Sequence, residues 1–497
     1  MQYSKKLDTL ERKAYQLIIS RLNGDDINDK DYSEKIIALV KKGIGGFIVF
    51  GGEKDGITRF INELQAISEI PLFIASDIER GVEQQVKGAT PFSCPMAIAA
   101  AIDKARPEDI NLLENALRAV AEEAIDLGIN MPLIPVLDVN QNPDNPIICT
   151  RAFSDNPETV SWFGTHYIKI LEQSGLISCP KHFPGHGDTS IDSHISLPVI
   201  NKAYDDLMKT DIMPFAEAIN KGTQSIMIGH LTVPALDSRP ASLSGKVISG
   251  LLRDELGFNG LVLTDALNMN ALKDFGNVPV ECINAGADIL LHPSDADETA
   301  TELLSAVKSG KITMERIESS IDLIVNTKHS FKKMRSTKVD YDKNRTLSSQ
   351  IVNRSITLVK STPSLLPIRN KETHAVLAGD PSLYGPSPLK DHFRVSTIDN
   401  AGRLKGDTIL FALFTSVRAW KGSSGIDTGD MNRILELMKR YNNSIVISFG
   451  SPYVLRYFTE AAILIAAYEA TILAQEAVIK CLSGELDFMG RLPIKLL

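Results

Sequence analysis

Through residue 332 the chain alternates short apolar runs with longer amphipathic segments. The runs are GGFIVFGG (45–52), PLFIASD (71–77), INMPLIPVLDV (129–139), LISCPKHF (176–183), SIMIGHL (225–231), GLVLTDAL (260–267) and ADILLHP (287–293). They are rich in β-branched residues, as buried parallel strands are, and each carries Gly, Pro, His or Asp within its last three residues. Between them, segments such as Asp109–Leu127 and Asp205–Asn220 carry the apolar spacing of helices. Strand, helix, strand at this interval predicts parallel β/α units. Seven such runs point to an α/β fold of the (β/α)8 TIM-barrel type with one irregular strand. A doubly wound sheet is the other arrangement of such units, but no GxGxxG follows the first run. The opening MQYSKKLDTLERKAYQLIISRL has the pattern of an amphipathic helix. It lacks the apolar core and small-residue cleavage site of a signal peptide.

The pattern shifts after residue 332. KKMRSTKVDYDKNRTLSSQ is polar and reads as a linker, placed at 333–350. SITLVK, THAVLAG, DTILFALF and SIVISFG then resume the buried-strand pattern and predict a smaller C-terminal α/β (sandwich) domain over 351–497. The expected division is therefore a barrel at 1–332, the linker, and this second domain. A hydrophobic content of 43% supports large cores, and a net charge of −8 argues against a nucleic-acid partner, which wants a basic face. No run of about 18 apolar residues predicts a membrane span. The five cysteines are scattered and form no CxxC pair, which fits reduced thiols in a cytoplasm. No pattern points to a cofactor, and none bears on oligomeric state.

Polar residues gather where the runs end: Asp77, Asp138, Lys181 with His182, His230, Asp265 and His292. In a barrel these ends share one face, the face that carries active sites. KHFPGHGDTSIDSH, from Lys181 to His194, holds three histidines and two aspartates without apolar periodicity, so it reads as a functional loop. Asp192 stands two residues before His194, with Ser193 between them, and can hold that imidazole in one tautomer, forming an acid/base dyad; a polar surface turn is the plain alternative. His182, His186, Asp192 and His194 are also possible zinc ligands. The spacing is not that of a helical HExxH and no Glu base accompanies it, so no metal is expected. Asp265 can serve as a carboxylate nucleophile or simply cap the next segment. Asp77, Arg151, Lys181 and His182 suit hydrogen bonding to sugar hydroxyls, although ion pairing and packing would explain the same residues.

Together SDIERG, CTRAF, KHFPGHGDTSIDSH, SIMIGHL and LVLTDALNM resemble glycoside hydrolase family 3, in particular its β-N-acetylglucosaminidases of the NagZ type. The resemblance extends past the barrel through SITLVK…LLPI and GRLPI. It implies a retaining two-step mechanism in which Asp265 forms a covalent glycosyl-enzyme and His194, partnered by Asp192, is the acid/base. It assigns Asp77, Arg151, Lys181, His182 and His230 to binding of a terminal N-acetylglucosamine. Arg80 and Val82 depart from the family's usual pattern after the SDIERG glutamate. The implied activity is exo-hydrolysis of β-N-acetylglucosaminides, with cell-wall muropeptide fragments as the natural small-carbohydrate substrate and a cytoplasmic setting. A β-N-acetylglucosamine phosphorylase is the rival enzyme, because an uncharged acid/base lets phosphate approach. A non-catalytic sugar-binding protein is the third reading, and it predicts a broken nucleophile or dyad.

Overall fold

The computed structural model describes residues 7–329, 338–368, 373–401, 407–418 and 420–496. They form two compact units. The first comprises the described residues of Met1–Phe92, Ala116–Val139 and Pro157–Asn344; the second comprises those of Ser93–Asn115, Asn140–Asn156 and Arg345–Leu497.

The first unit is a parallel barrel. Its strands are β1 (Ile18–Asn23), β2 (Gly46–Phe50), β3 (Phe73–Ser76), β4 (Met131–Pro132), β5 (Ser225–Ile228), β6 (Leu261–Thr264) and β7 (Leu290–Leu291). β4-β3-β2-β1-β7 make one run of the ring and β5-β6 another. The eighth position is the irregular segment 177–183. It bonds back to β4 and its extension through Ile177 N→Asn130 O (2.9 Å) and Cys179 N→Ile134 O (2.9 Å), and forward through Phe183 N→Met227 O (2.9 Å). Thr264 N→Ile289 O (3.0 Å) closes β6 onto the lead-in to β7. Pro132, Pro135 and Pro180 lie in this part of the ring. Each lacks the N–H a ladder needs, so the strands here are short and the segment stays irregular. Ile18, Ile19, Phe47, Val49, Ile74, Ile228, Val262 and Leu263 are buried, as strands covered on both faces require.

One strand was hidden. Among the described residues, the helix expected across the opening segment occupies Leu10–Gln16, capped by the Thr9 hydroxyl, and IISRLN is β1. Ile18 and Ile19 continue the helical apolar spacing, so periodicity alone does not separate them from the helix before.

A buried lysine fastens the helix Met314–His329 to the strand starts. Lys328 Nζ donates to Gln16 Oε1 (2.9 Å) and Gly45 O (2.8 Å) and lies 4.6 Å from the centroid of the Phe73 ring. Burial pushes its pKa well below the usual lysine value. Lys328→Ala leaves two acceptors unmet and a void, and is expected to lower the unfolding free energy by about 3 kcal/mol, read from urea denaturation.

The second unit is a six-stranded sheet ordered β10-β9-β11-β12-β13-β8. The strands are β8 (Thr357–Lys360), β9 (His374–Gly379), β10 (Arg394–Thr397), β11 (Thr408–Phe414), β12 (Asn443–Phe449) and β13 (Ile463–Ala466). Only β8 runs antiparallel, on the β13 edge. Alternation divides each strand between two cores: Ile409, Phe411 and Leu413 join one, while Leu410, Ala412 and Phe414 join the other. Cys94, Met96, Ala97 and Ala100 pack into the first of these cores, so segment 93–115 belongs here rather than with the barrel. This boundary differs from an unbroken division at 332.

The linker reading needs revision where it can be compared. Residues 333–337 lie outside the described residues, and 341–350 belong to a helix, Tyr341–Ser355. Its buried face is Asn344, Ser348, Ile351, Val352 and Ser355. The spacing is helical, but half of that face is polar, so hydropathy does not reveal it.

Candidate active site

The side chains nominated from the first unit follow the C-terminal ends of the barrel strands. Asp77 follows β3, Lys181 and His182 end the irregular segment, His230 follows β5 and Asp265 follows β6. The register pairs Ile228 with Thr264, and Asp265 N donates to Ile228 O (2.9 Å), which sets His230 and Asp265 on neighbouring strand ends.

Asp265 is half-buried, beside the imidazoles of His182 and His230. Burial pushes its carboxyl pKa up, but His182 and His230 and then the Ala266 N–H pull it down further, to about 2. The Ala266 N–H donates to Oδ1 at 2.7 Å. The group is therefore ionised at any ordinary pH.

His182 is held from behind by Asp138. Its Nδ1 lies 2.7 Å from Asp138 Oδ2, and Asp138 Oδ1 also accepts from the backbone N–H of His182 (3.2 Å) and His186 (2.7 Å). Lys181 Nζ bridges two carboxylates, Asp77 Oδ1 (2.6 Å) and Glu79 Oε1 (2.8 Å). Asp77 is the more exposed of the three, at 27% against 2% for Lys181 and 5% for Glu79, so it is the one placed to meet a ligand.

The Asp192–His194 pair forms as expected. Asp192 Oδ1 accepts from the His194 backbone N–H (2.9 Å) and lies 2.8 Å from His194 Nδ1. Asp192 is fully buried while His194 is 23% exposed, which leaves the imidazole accessible. The loop bearing the pair turns against the barrel at Gly187. A Cβ there would lie 1.9 Å from the Val139 carbonyl oxygen and 2.4 Å from its carbon, neither of which can yield. Gly187→Ala is expected to displace the loop and cut kcat/KM roughly 100-fold, with far-ultraviolet circular dichroism unchanged.

Three residues nearby were not nominated as site residues. Glu79 sits inside SDIERG, and Asp138 ends its strand run in the same way as Asp77. Ser242, whose Oγ is 2.8 Å from His230 Nδ1, had no sequence signal at all. His186 is turned inward; its Nδ1 is 2.8 Å from Thr189 Oγ1, and burial lowers its pKa to about 4. Among the described residues, no three His, Cys, Asp or Glu side chains are grouped to hold a metal ion. Arg80 is exposed and Val82 is buried in a short 3-10 turn, so the two departures from the family pattern occupy opposite environments. Arg151 belongs to the second unit, where its Nη1 donates to Ile147 O (3.0 Å).

A conserved-domain model described as "Glycosyl hydrolase family 3 N terminal domain" matches residues 9–327. The chain belongs to glycoside hydrolase family 3. Beta-hexosaminidase A of Pseudoalteromonas piscicida is 35% identical over 368 residues, 66% of this chain and 61% of that protein. The chain thus spans less than two thirds of that relative's length. A beta-N-acetylglucosaminidase/beta-glucosidase of Cellulomonas fimi is 27% identical over 492 residues, covering 87% of this chain and 85% of that one. Among solved structures, a family 3 beta-N-acetylglucosaminidase from Paenibacillus sp. str. FPU-7 superposes with a TM-score of 0.83 at 29% identity, covering 98% of this chain and 99% of that one. The family's barrel followed by a C-terminal α/β domain is the architecture of this chain. Among the described residues, no helix is long and apolar enough to cross a membrane.

Proposed function

We propose that the protein is a retaining exo-β-N-acetylglucosaminidase that removes terminal N-acetylglucosamine from β-glycosides, with peptidoglycan-derived muropeptide fragments as its natural substrates. The observation that carries this reading is an ionised, half-buried carboxylate, Asp265, beside His182 and His230 on the barrel face where a further, accessible imidazole is held by its own carboxylate. The names of the relatives support the sugar specificity.

In the first step Asp265 attacks the anomeric carbon, the glycosidic bond breaks, and protonated His194 gives its proton to the departing oxygen. In the second, neutral His194 takes a proton from water, whose oxygen attacks the same carbon, and the Asp265 ester bond breaks. Asp192 keeps His194 oriented through both. Asp77, Lys181 and His182 receive the hydroxyls of the sugar. The five free, buried cysteines fit a reducing compartment, and we place the enzyme in the cytoplasm.

The test compares p-nitrophenyl N-acetyl-β-glucosaminide with the matching β-glucoside, each with and without phosphate, while proton NMR follows the first-formed sugar. Faster release from the N-acetyl substrate, with free β-N-acetylglucosamine appearing first, is expected. Preference for the glucoside overturns the specificity. Sugar 1-phosphate in the phosphate arm makes the enzyme a phosphorylase, and an α-anomer appearing first removes the covalent intermediate.

A further inference from the structure

His230 is fully buried beside the proposed nucleophile, and its two ring nitrogens have unlike surroundings. Nδ1 lies 2.8 Å from the Ser242 hydroxyl, and Nε2 is buried with no hydrogen-bond partner. Ser242 is itself buried, on the short 3-10 turn Ala241–Leu243. A serine hydroxyl can donate to a ring nitrogen or accept from it, so its direction is fixed by what the other nitrogen meets.

Burial lowers the His230 pKa, so the ring is neutral and carries one proton. The Asp265 carboxylate and weak hydrogen bonding from the ring to the backbone of Ala266 and Asp265, too poor in geometry to satisfy Nε2, act the other way and favour a proton on the ring. A proton on Nδ1 would leave the Nε2 lone pair buried without a donor, in a ring that already feels the negative charge of Asp265. A proton on Nε2 is attracted to the carboxylate, and Nδ1 then needs a donor.

We infer that Ser242 is a positioning residue, whose hydroxyl donates to His230 Nδ1 and so keeps the ring proton on the buried Nε2. The unpartnered Nε2–H is then a donor held ready for the group that arrives there: a sugar hydroxyl, or the ester carbonyl that Asp265 becomes in the covalent intermediate. Donors fixed in advance at such a point act without reorganisation during the reaction. Together with Asp138 behind His182, this gives two imidazoles on the nucleophile side, each oriented through its Nδ1, one by a carboxylate and one by a neutral hydroxyl. The neutral partner fits the neutral ring, since serine has no charge with which to draw a second proton onto it.

The inference rests on the proposed glycosidase reading, but its first test does not. Nitrogen-15 spectra of histidine-labelled protein, with the His230 signals assigned by their loss in His230→Asn, report directly which ring nitrogen is protonated. A single neutral tautomer with the proton on Nε2 is expected in the wild type. A proton on Nδ1, or a doubly protonated ring at neutral pH, overturns the inference. In Ser242→Ala the single tautomer should give way to a mixture. Covalent trapping by a slow fluoro-sugar inactivator should then fall about tenfold in rate, the scale of one lost hydrogen bond, with little change in the inactivator's half-saturation concentration. Ser242→Thr, which keeps the hydroxyl, should restore both. Unchanged trapping in Ser242→Ala, or equal loss in Ser242→Thr, shows that the hydroxyl does not act in this way. A wild-type protein with the expected tautomer but no turnover of any β-glycoside would defeat the glycosidase reading and leave this one standing.

Discussion

Asp265→Ala is expected to slow nitrophenol release from p-nitrophenyl N-acetyl-β-glucosaminide by roughly 10⁴-fold or more, the scale on which losing a nucleophile acts. The expectation follows from how completely the structure prepares this carboxylate. Partial burial pushes its pKa up, yet His182 and His230 bring it to about 2, so it is anionic throughout the working range. The Ala266 N–H holds Oδ1, which leaves Oδ2 for attack. Removing the side chain leaves space on the reacting face, and a small anion can enter it. Azide added to Asp265→Ala should restore release by displacing the aryloxide from the opposite face, giving the α-glycosyl azide. That product, identified by NMR, is the decisive reading, because a residue that only supports the fold would not be replaced by azide. Activity within tenfold of wild type, or rescue yielding the β-azide, would remove Asp265 from the nucleophile's role.

The linkage has a definite sign. A carboxyl whose folded pKa lies below its unfolded value adds stability that is fully present above the unfolded value and is lost as pH falls through the folded one. For Asp265 that loss runs from about pH 4 down to about 2. The charge on Asp265 therefore favours the folded state at every pH above about 4.

Much of this site can be read from the order of residues, and the reason is geometric. A parallel barrel gathers its strand ends on one face, so a polar residue after each apolar run is already a statement about position in space. Asp77, Lys181, His182, His230 and Asp265 come together on that logic alone. Asp192 and His194 could be paired because they are two residues apart. Partners from distant turns are a different matter. Ser242 reaches His230 from a turn that no periodicity distinguishes, and Glu79 meets Lys181 across more than a hundred residues of sequence. β1 was concealed because Ile18 and Ile19 extend the spacing of the helix before them. The helix Tyr341–Ser355 was concealed because it buries Asn344 and Ser348, and Asn344 is there to donate to Glu123 Oε1 (2.7 Å). The second unit was misdrawn in part because Met96 and Ala97 lie far from the sheet in sequence yet complete its core. In each case the missing information is a tertiary partner, which local pattern does not carry.

The dyad should reveal itself by what it does to different leaving groups. His194→Ala is expected to cut turnover of a disaccharide substrate by roughly 10³-fold, while the 2,4-dinitrophenyl glycoside, whose phenolate leaves without a proton, should lose far less in its first step. Asp192→Asn should behave as a weaker copy, slowing the disaccharide by roughly 10²-fold. The carboxylate oxygen that meets Nδ1 also accepts the His194 backbone N–H, at 2.8 and 2.9 Å, so it fixes both the loop and the ring. An amide oxygen can still accept one of these, but it carries no charge to steady the imidazolium that precedes proton donation. Because Asp192 acts only through His194, the double variant should be no slower than His194→Ala alone, a coupling that independent sites would not show. Equal losses on both leaving groups would mean that His194 does not donate the proton. A double variant far slower than either single one would mean that Asp192 has a task of its own.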